Sequence, residues 1–369
     1  MSRVAALWSL GLLAASACGE GATSRRAESV PDEALPIAAD TIVAPDRGLP
    51  EATWVVDGRR RTIFPEHDAA VIVDFGAGSV APVGGRNNQE IAKPYDGFAL
   101  GDTAVVADWG KGRLTLWGPD GSLVGTVPGP AALGGRLPRS RDAAGQYYFE
   151  LPPNPGRDGS GNRDSTAIVR GNPAMTSFDT VAHLAPVDLA EVQLSTGRRY
   201  ERLILAGTDQ WGVRPDGRLW IARVNSNRVN TIAGGKETRG EPLPDPVLEV
   251  KRIDREVFIN SFPEEVRGSL QGMPFAPFKP PFDKAFAGPD GLVWLRKSRA
   301  FGDSISRYHV VDTAGLLARS FTTVGDGRLV AAGRGAVLMA EQFSDGVRLM
   351  ELRVPAGPPA PADSTPNDD

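Results

Sequence analysis

Three histidines are the side chains of this chain best suited to hold a metal ion. His67, His183 and His309 lie 116 and 126 residues apart, the spacing expected if alternate units of a ring each contributed one ligand to a central ion at about 2.1 Å. Their settings differ. His67 precedes an apolar strand, His183 follows the outer strand Ser177 to Ala182, and His309 lies inside a strand. Residues at different radii do not converge on one ion, so isolated histidines and no metal are expected. The stretch from Asp158 to Asp164 carries oxygen side chains at alternate positions, as a calcium loop does. A calcium loop of the EF-hand kind needs Gly at its sixth position and Glu at its twelfth, where Arg163 and Val169 stand; it reads as a solvated, turn-rich loop. Asp108 and Arg113 sit five residues apart on adjoining strands. Because the arginine recurs as Arg228 and Arg307, it is expected to tie hairpins together. Asp74, Asp108, Arg113, Arg223, Asn225 and Arg228 are the weak candidates for a channel or loop-face site. There is no Gly-x-Ser-x-Gly, no His-Glu-x-x-His and no Gly-rich phosphate loop. No catalytic residue and no cofactor follow from these residues.

The elements that must position them come from a repeated unit, best seen from Tyr95 to Pro130. It holds three short strands, Ala104 to Ala107, Arg113 to Trp117 and Ser122 to Val127, the last following the turn Gly118-Pro119-Asp120-Gly121. A second copy, Asp216 to Ile232, lies 115 residues on, and a third begins at Gly288-Pro289-Asp290-Gly291. Poorer copies run around Ala69 to Val83, Gly145 to Leu184 and Asp326 to Val354. Six units of about 51 residues match the longer propeller repeats. A lone unit would expose both faces of its sheet, and radial stacking closes such units into a ring. An all-β, six-bladed β-propeller is the expectation, with seven blades of about 44 residues as the alternative. Trp54-Val55-Val56 is the expected fastener, pairing with a last unit that is one strand short.

Between the second and third copies, Asp254 to Phe282 reads as a surface excursion. Ser261 with Glu264 three residues on predicts a helix N-terminus there, ahead of a proline-rich run unsuited to a central strand. Phe275, Phe278, Phe282 and Phe286 offer either an aromatic docking patch or filler between blades, with filler favoured.

Met1-Ser2-Arg3 followed by an apolar run from Val4 to Ala17 reads as an export signal, too short to span a bilayer permanently. Ala15-Ser16-Ala17-Cys18 resembles a bacterial lipobox, and Cys18 is the one cysteine in the chain, which rules out an internal disulfide. Cys18 is the expected lipidation site, residues 1–18 the signal peptide, 19–47 a flexible tether, 48–354 the folded ring and 355–369 a disordered tail. The expected location is the bacterial cell envelope, exported and anchored through the N-terminal lipid. Gly 43 and Pro 31 make up about a fifth of the residues, above a usual share of about 12%, and serve many tight turns. A net charge of −4 without a basic cluster gives no reason to expect nucleic acid as a partner.

Ala104-Val105-Val106-Ala107-Asp108-Trp109-Gly110-Lys111-Gly112-Arg113-Leu114 with Gly118-Pro119-Asp120-Gly121 resembles an NHL-type repeat of exported bacterial six-bladed propellers. The resemblance implies fold far more than function. Arg223 stands where Asp108 does in the first copy, which weakens any shared role for that aspartate. Propeller enzymes similar to gluconolactonase hold a divalent ion with Glu, Asn and Asp; Asn225 with Asp108 or Asp74 supplies parts of that set, and the Glu is missing. The functional expectation is a binding or scaffold module for an unknown protein or small-molecule ligand. A metal-dependent, lactonase-like hydrolase or lyase is the alternative, and a passive envelope lipoprotein the third reading.

Overall fold

The computed structural model describes residues 30–355 apart from 36–39, 46–53, 57–60, 66–69, 84–88, 152–164, 195–196, 326, 334 and 345. Cys18, His67 and the Asp158 to Asp164 loop lie outside the described residues.

Among the described residues the chain is all-β with two short α-helices. Two strands come first, β1 (Asp32–Ala34) and β2 (Asp40–Pro45). Four-stranded antiparallel meanders follow, each pairing in chain order. The first is β3 (Trp54–Val56), β4 (Arg61–Pro65), β5 (Ala70–Asp74) and β6 (Ser79–Pro82). The second is β7 (Pro94–Leu100), β8 (Thr103–Asp108), β9 (Arg113–Trp117) and β10 (Leu123–Pro128). The third is β11 (Ser140–Arg141), β12 (Tyr147–Leu151), β13 (Ala167–Gly171) and β14 (Phe178–His183). A separate hairpin, β15 (Leu189–Leu194) with β16 (Gly197–Arg202), precedes the fourth meander, β17 (Gln210–Val213), β18 (Leu219–Arg223), β19 (Arg228–Ala233) and β20 (Lys236–Thr238). Helices α1 (Arg252–Asn260) and α2 (Glu264–Leu270) intervene. The fifth meander is β21 (Phe282–Ala287), β22 (Val293–Lys297), β23 (Ile305–Val311) and β24 (Leu317–Val324), extended by β1 lying parallel to β24. The sixth is β25 (Arg328–Ala332), β26 (Ala336–Phe343) and β27 (Gly346–Arg353), completed by β2 antiparallel to β27.

Middle strands carry continuous apolar runs because both of their faces are covered by neighbouring sheets. Val105, Val106 and Ala107 of β8 and Leu219, Trp220, Ile221 and Ala222 of β18 are all buried, whereas the outer strand β10 is mostly exposed. The buried apolar side chains form one cluster at each seam between neighbouring sheets. Phe98, Val105 and Leu114 of the second sheet meet Tyr147, Phe149 and Val169 of the third, and Trp220 and Val229 of the fourth meet Phe282, Val293 and Leu295 of the fifth. At the last seam Val71 and Val73 of the first sheet meet Leu338, Val347 and Leu349 of the sixth, with Ile42 of β2 among them. Leading strands touch in the same cyclic order: β3 with β7, β7 with β11, β11 with β17, β17 with β21, β21 with β25, and β25 with β3.

The turn motif that marks the repeat holds in three dimensions. Gly121 and Gly291 adopt φ of 79° in both copies, a left-handed value that favours glycine. The preceding aspartate accepts an amide hydrogen two residues on in each: Asp120 from Ser122 at 3.0 Å and Asp290 from Leu292 at 3.1 Å.

Two expectations are corrected. Trp54–Val56 does not join the last unit; a four-residue link lets it pair with Arg61 to Ile63 and lead its own sheet. The strand that completes the sixth sheet is Asp40–Pro45, inside the stretch expected to be a tether. Its alternation suits an edge: Ile42 is buried, Thr41 and Val43 are exposed. Asp32–Ala34 is a strand too, so the tether assignment fails over 32–34 and 40–45. The helix expected from Ser261 is found as α2 at Glu264, capped without a side-chain bond, and the earlier α1 has no counterpart in the expectation.

Candidate functional site

In an antiparallel meander, first-to-second and third-to-fourth turns lie at one end, and second-to-third turns and the links between sheets at the other. At the first end a cavity of about 390 Å³ is walled by the first-to-second strand turns of five sheets, through Leu100, Arg141, Arg214, Pro289 and Ala332 among others. At the link end lies a cleft of about 520 Å³. We take the cleft as the candidate site, since its volume suits a small ligand and its lining mixes apolar surface with a few polar groups.

Four segments build the cleft: the link from Arg202 to Gln210, helix α1, the run from Lys279 to Asp283 and the second-to-third turn at Ser298 and Arg299. The link wall is tightly set. Leu205 has φ of 63°, a conformation uncommon for a residue with a Cβ and one that clusters at ligand clamps. A Cβ at Gly207 would stand 2.4 Å from Pro280 Cβ, so only glycine lets this backbone meet the opposite wall. Helix α1 is held over the cleft by Asp254. Its carboxylate accepts the Lys251 amide at 2.9 Å and pairs with Lys279 Nζ at 2.6 Å. Burial works to raise its pKa, yet the bonds from Lys279 and the Lys251 amide hold it below the usual carboxylate value. Val257 and Phe258 form the apolar roof, and Phe258 meets Phe275 edge to face at 5.9 Å.

Nearer the leading strands, a polar network ties the second, third and fourth sheets at this end. Arg139 donates to Asp96 at 2.9 Å and to Glu150, which also accepts Trp211 Nε1 at 2.8 Å. Between the fourth and fifth sheets a second polar cluster is buried. Asp245 pairs with Lys297 at 2.6 Å and accepts Asn227 Nδ2 at 2.9 Å, with His309 Nδ1 at 3.5 Å. Burial chiefly pushes the His309 pKa down to about 4 against the pull of Asp245, aided by the charge of Lys297. Burial likewise lowers the Lys297 pKa.

The six residues singled out in the sequence do not assemble into one site. Asp74 accepts the Ala77 amide at 2.9 Å within its own turn. Asp108, fully buried, accepts three amide hydrogens, from Ala92 at 2.9 Å, Lys93 at 2.8 Å and Gly110 at 3.0 Å. Arg113 lies opposite Asp108 in the ladder but bonds Glu90. Arg223 pairs with Asp209 at 2.8 Å and Glu237 at 2.8 Å, Arg228 donates to the Gly240 carbonyl at 3.3 Å, and Asn225 is exposed in a turn. Asp209 is the residue missed. It accepts the Ala185 and Val224 amides and so ties the link entering the fourth sheet to that sheet's second-to-third turn, the tie that Asp108 makes in the second sheet from the end of the second strand. The aromatic patch dissolves as well: Phe282 is buried, Phe286 stacks on Trp294 at 6.5 Å, Phe275 packs on α1, and Phe278 is exposed. His183 is exposed and His309 buried in separate sheets. Among the described residues no three His, Cys, Asp or Glu side chains stand together as a metal site.

The fold is similar to that of a DUF4221 family member from Bacteroides vulgatus, with 10% identity over 86% of this chain and 96% of that one at a TM-score of 0.51. It is also similar to regucalcin, a calcium-binding protein from Agrobacterium tumefaciens, at 12% identity, 87% and 97% coverage and a TM-score of 0.41. A streptogramin B lyase follows at 11% identity, 86% and 88% coverage and 0.35. No family model and no curated protein matches the sequence. At such identities the likeness speaks for the fold alone: an all-β chain with propeller-like neighbours.

Proposed function

We propose that this chain is a six-bladed propeller of NHL-like repeats, exported and held at the cell envelope by a lipid on Cys18, and that it works as a binding module. Six meanders, six apolar seams and the cyclic contacts of the leading strands support the blade number. The cleft under α1 carries the binding reading. It is the place where links of the ring have been lengthened into a hairpin and a helical insert, and connecting segments on a rigid scaffold are where binding residues concentrate. The alternative of a metal-dependent hydrolase has little to build on here, because the Asp108 oxygens are taken by three backbone amides and Asp74 closes its own turn.

Native mass spectrometry of the full chain released from membranes tests the reading. A co-purified small molecule is expected on the natural chain and absent from Ala206→Trp, which fills the cleft. Palmitate labelling of the same preparation is expected to vanish in Cys18→Ser. A molecule that stays bound to Ala206→Trp would move the site elsewhere.

A further inference from the structure

The charges of the cleft are unevenly matched, and this names a ligand class. Its two acids are each neutralised: Asp254 by Lys279 at 2.6 Å and Asp283 by Arg296 at 2.6 Å. Its two other cations are Arg202 and Arg299, both exposed. Arg202 donates to the Ala206 carbonyl at 3.2 Å and Arg299 to Ser306 Oγ at 3.3 Å. Among the described residues neither has a carboxylate partner. A guanidinium presents five donors in a plane, so each keeps several donors free at the cleft. The same cleft is lined by apolar surface from Leu205, Val257, Phe258 and Pro280. A cleft of about 520 Å³ falls within the size of small-molecule sites and is too small for a folded partner.

We infer that the cleft binds an amphipathic small anion, an apolar aliphatic or aromatic body ending in a carboxylate or another oxyanion, with Arg202 and Arg299 as the anion-recognising residues. This rests on the binding reading above and adds the chemistry of the ligand to it. The body displaces water from the roof and floor, and the oxyanion accepts charge-assisted bonds from guanidinium groups that no internal acid competes for. An uncharged analogue would bury the same surface and leave both arginines in water. An ammonium analogue would meet two like charges.

The test uses the full chain and 1-anilinonaphthalene-8-sulfonate as a fluorescent probe with an apolar body and an anionic end. Saturable one-to-one binding is expected, displaced by decanoate and far less by decanol or decylammonium. Decanoate affinity is expected to fall about tenfold or more in Arg202→Gln and in Arg299→Gln, since a charge-assisted bond of this kind is worth that much. Both side chains are exposed, so thermal midpoints serve to show that the variants stay folded. Equal affinity for decanol and decanoate, or an unchanged decanoate affinity in the double variant, overturns the anion assignment while leaving the cleft a binding site. Probe binding that survives Ala206→Trp, or no saturable binding at all, overturns the site itself.

Discussion

Most polar side chains with interesting chemistry turn out to be occupied by their own backbone, as Asp108 and Asp209 show. His309 differs, being a buried titratable group set among charges. It faces Asp245 and Lys297 from neighbouring elements and senses Arg307 and Asp32. Its folded pKa of about 4 lies below the unfolded value of about 6.5. Between those values the unfolded chain binds the extra proton, so stability is complete above about pH 6.5 and declines as pH falls to about 4, by roughly 2–3 kcal/mol. Thermal melts across that window are expected to show the decline in the natural chain and a flatter profile in His309→Gln. From the sequence it was legible that His183 and His309 stand in different settings, one exposed at an outer strand and one inside a sheet. What could not be read was the burial of His309, because its cluster is closed by Asp245 from a distant link with no repeat pattern of its own. The partners of Asp108 were not legible: a carboxylate read against the charged Arg113 across the ladder bonds three uncharged amides instead.

At the scale of elements, strands with a turn of the Gly-Pro-Asp-Gly kind were readable, since proline, aspartate and glycine each fix a dihedral or a hydrogen bond. Departures from the repeat were not. Helix α1 begins at Arg252 without a serine, threonine or asparagine cap; its start is stabilised by Asp254 reaching back to the Lys251 amide, a signal hidden among charged residues. The hairpin of β15 and β16 has weakly apolar strands, and no periodicity marks it. Asp254→Ala removes both the capping bond and the pair with Lys279, at a cost of about 1–3 kcal/mol. Hydrogen exchange is expected to quicken over 252–260 and to stay unchanged in β22 and β23. Equal quickening throughout the fifth sheet would mean that α1 is no separate unit of the structure.

Across the whole molecule the repeat was legible, because each unit must bury two faces. Which segment completes the last sheet was not. Trp54 to Val56 is the more apolar stretch, and apolarity misleads at an outer strand, where only one side chain in two is covered. Ile42 is that side chain. Ile42→Asp sets a charge into the seam between sixth and first sheets and is expected to lower unfolding free energy by about 3 kcal/mol or more. Thr41→Asp, one residue away and exposed, is expected to change it by less than about 0.5 kcal/mol. Urea denaturation of both variants measures the contrast.

The pairing of β2 with β27 joins segments from opposite ends of the chain, Asp40 facing Glu351. Until synthesis reaches β27, β2 is a strand with no sheet to join, and afterwards β27 is an open edge waiting for a strand. A β2 from any copy of the chain has the right sequence to fill it. What favours the chain's own strand is the short link to β3 in the adjoining sheet, which keeps its effective concentration high. Crowded folding weakens that advantage, and the product is then a strand-exchanged oligomer in which every contact is native and only the ownership of one strand has changed.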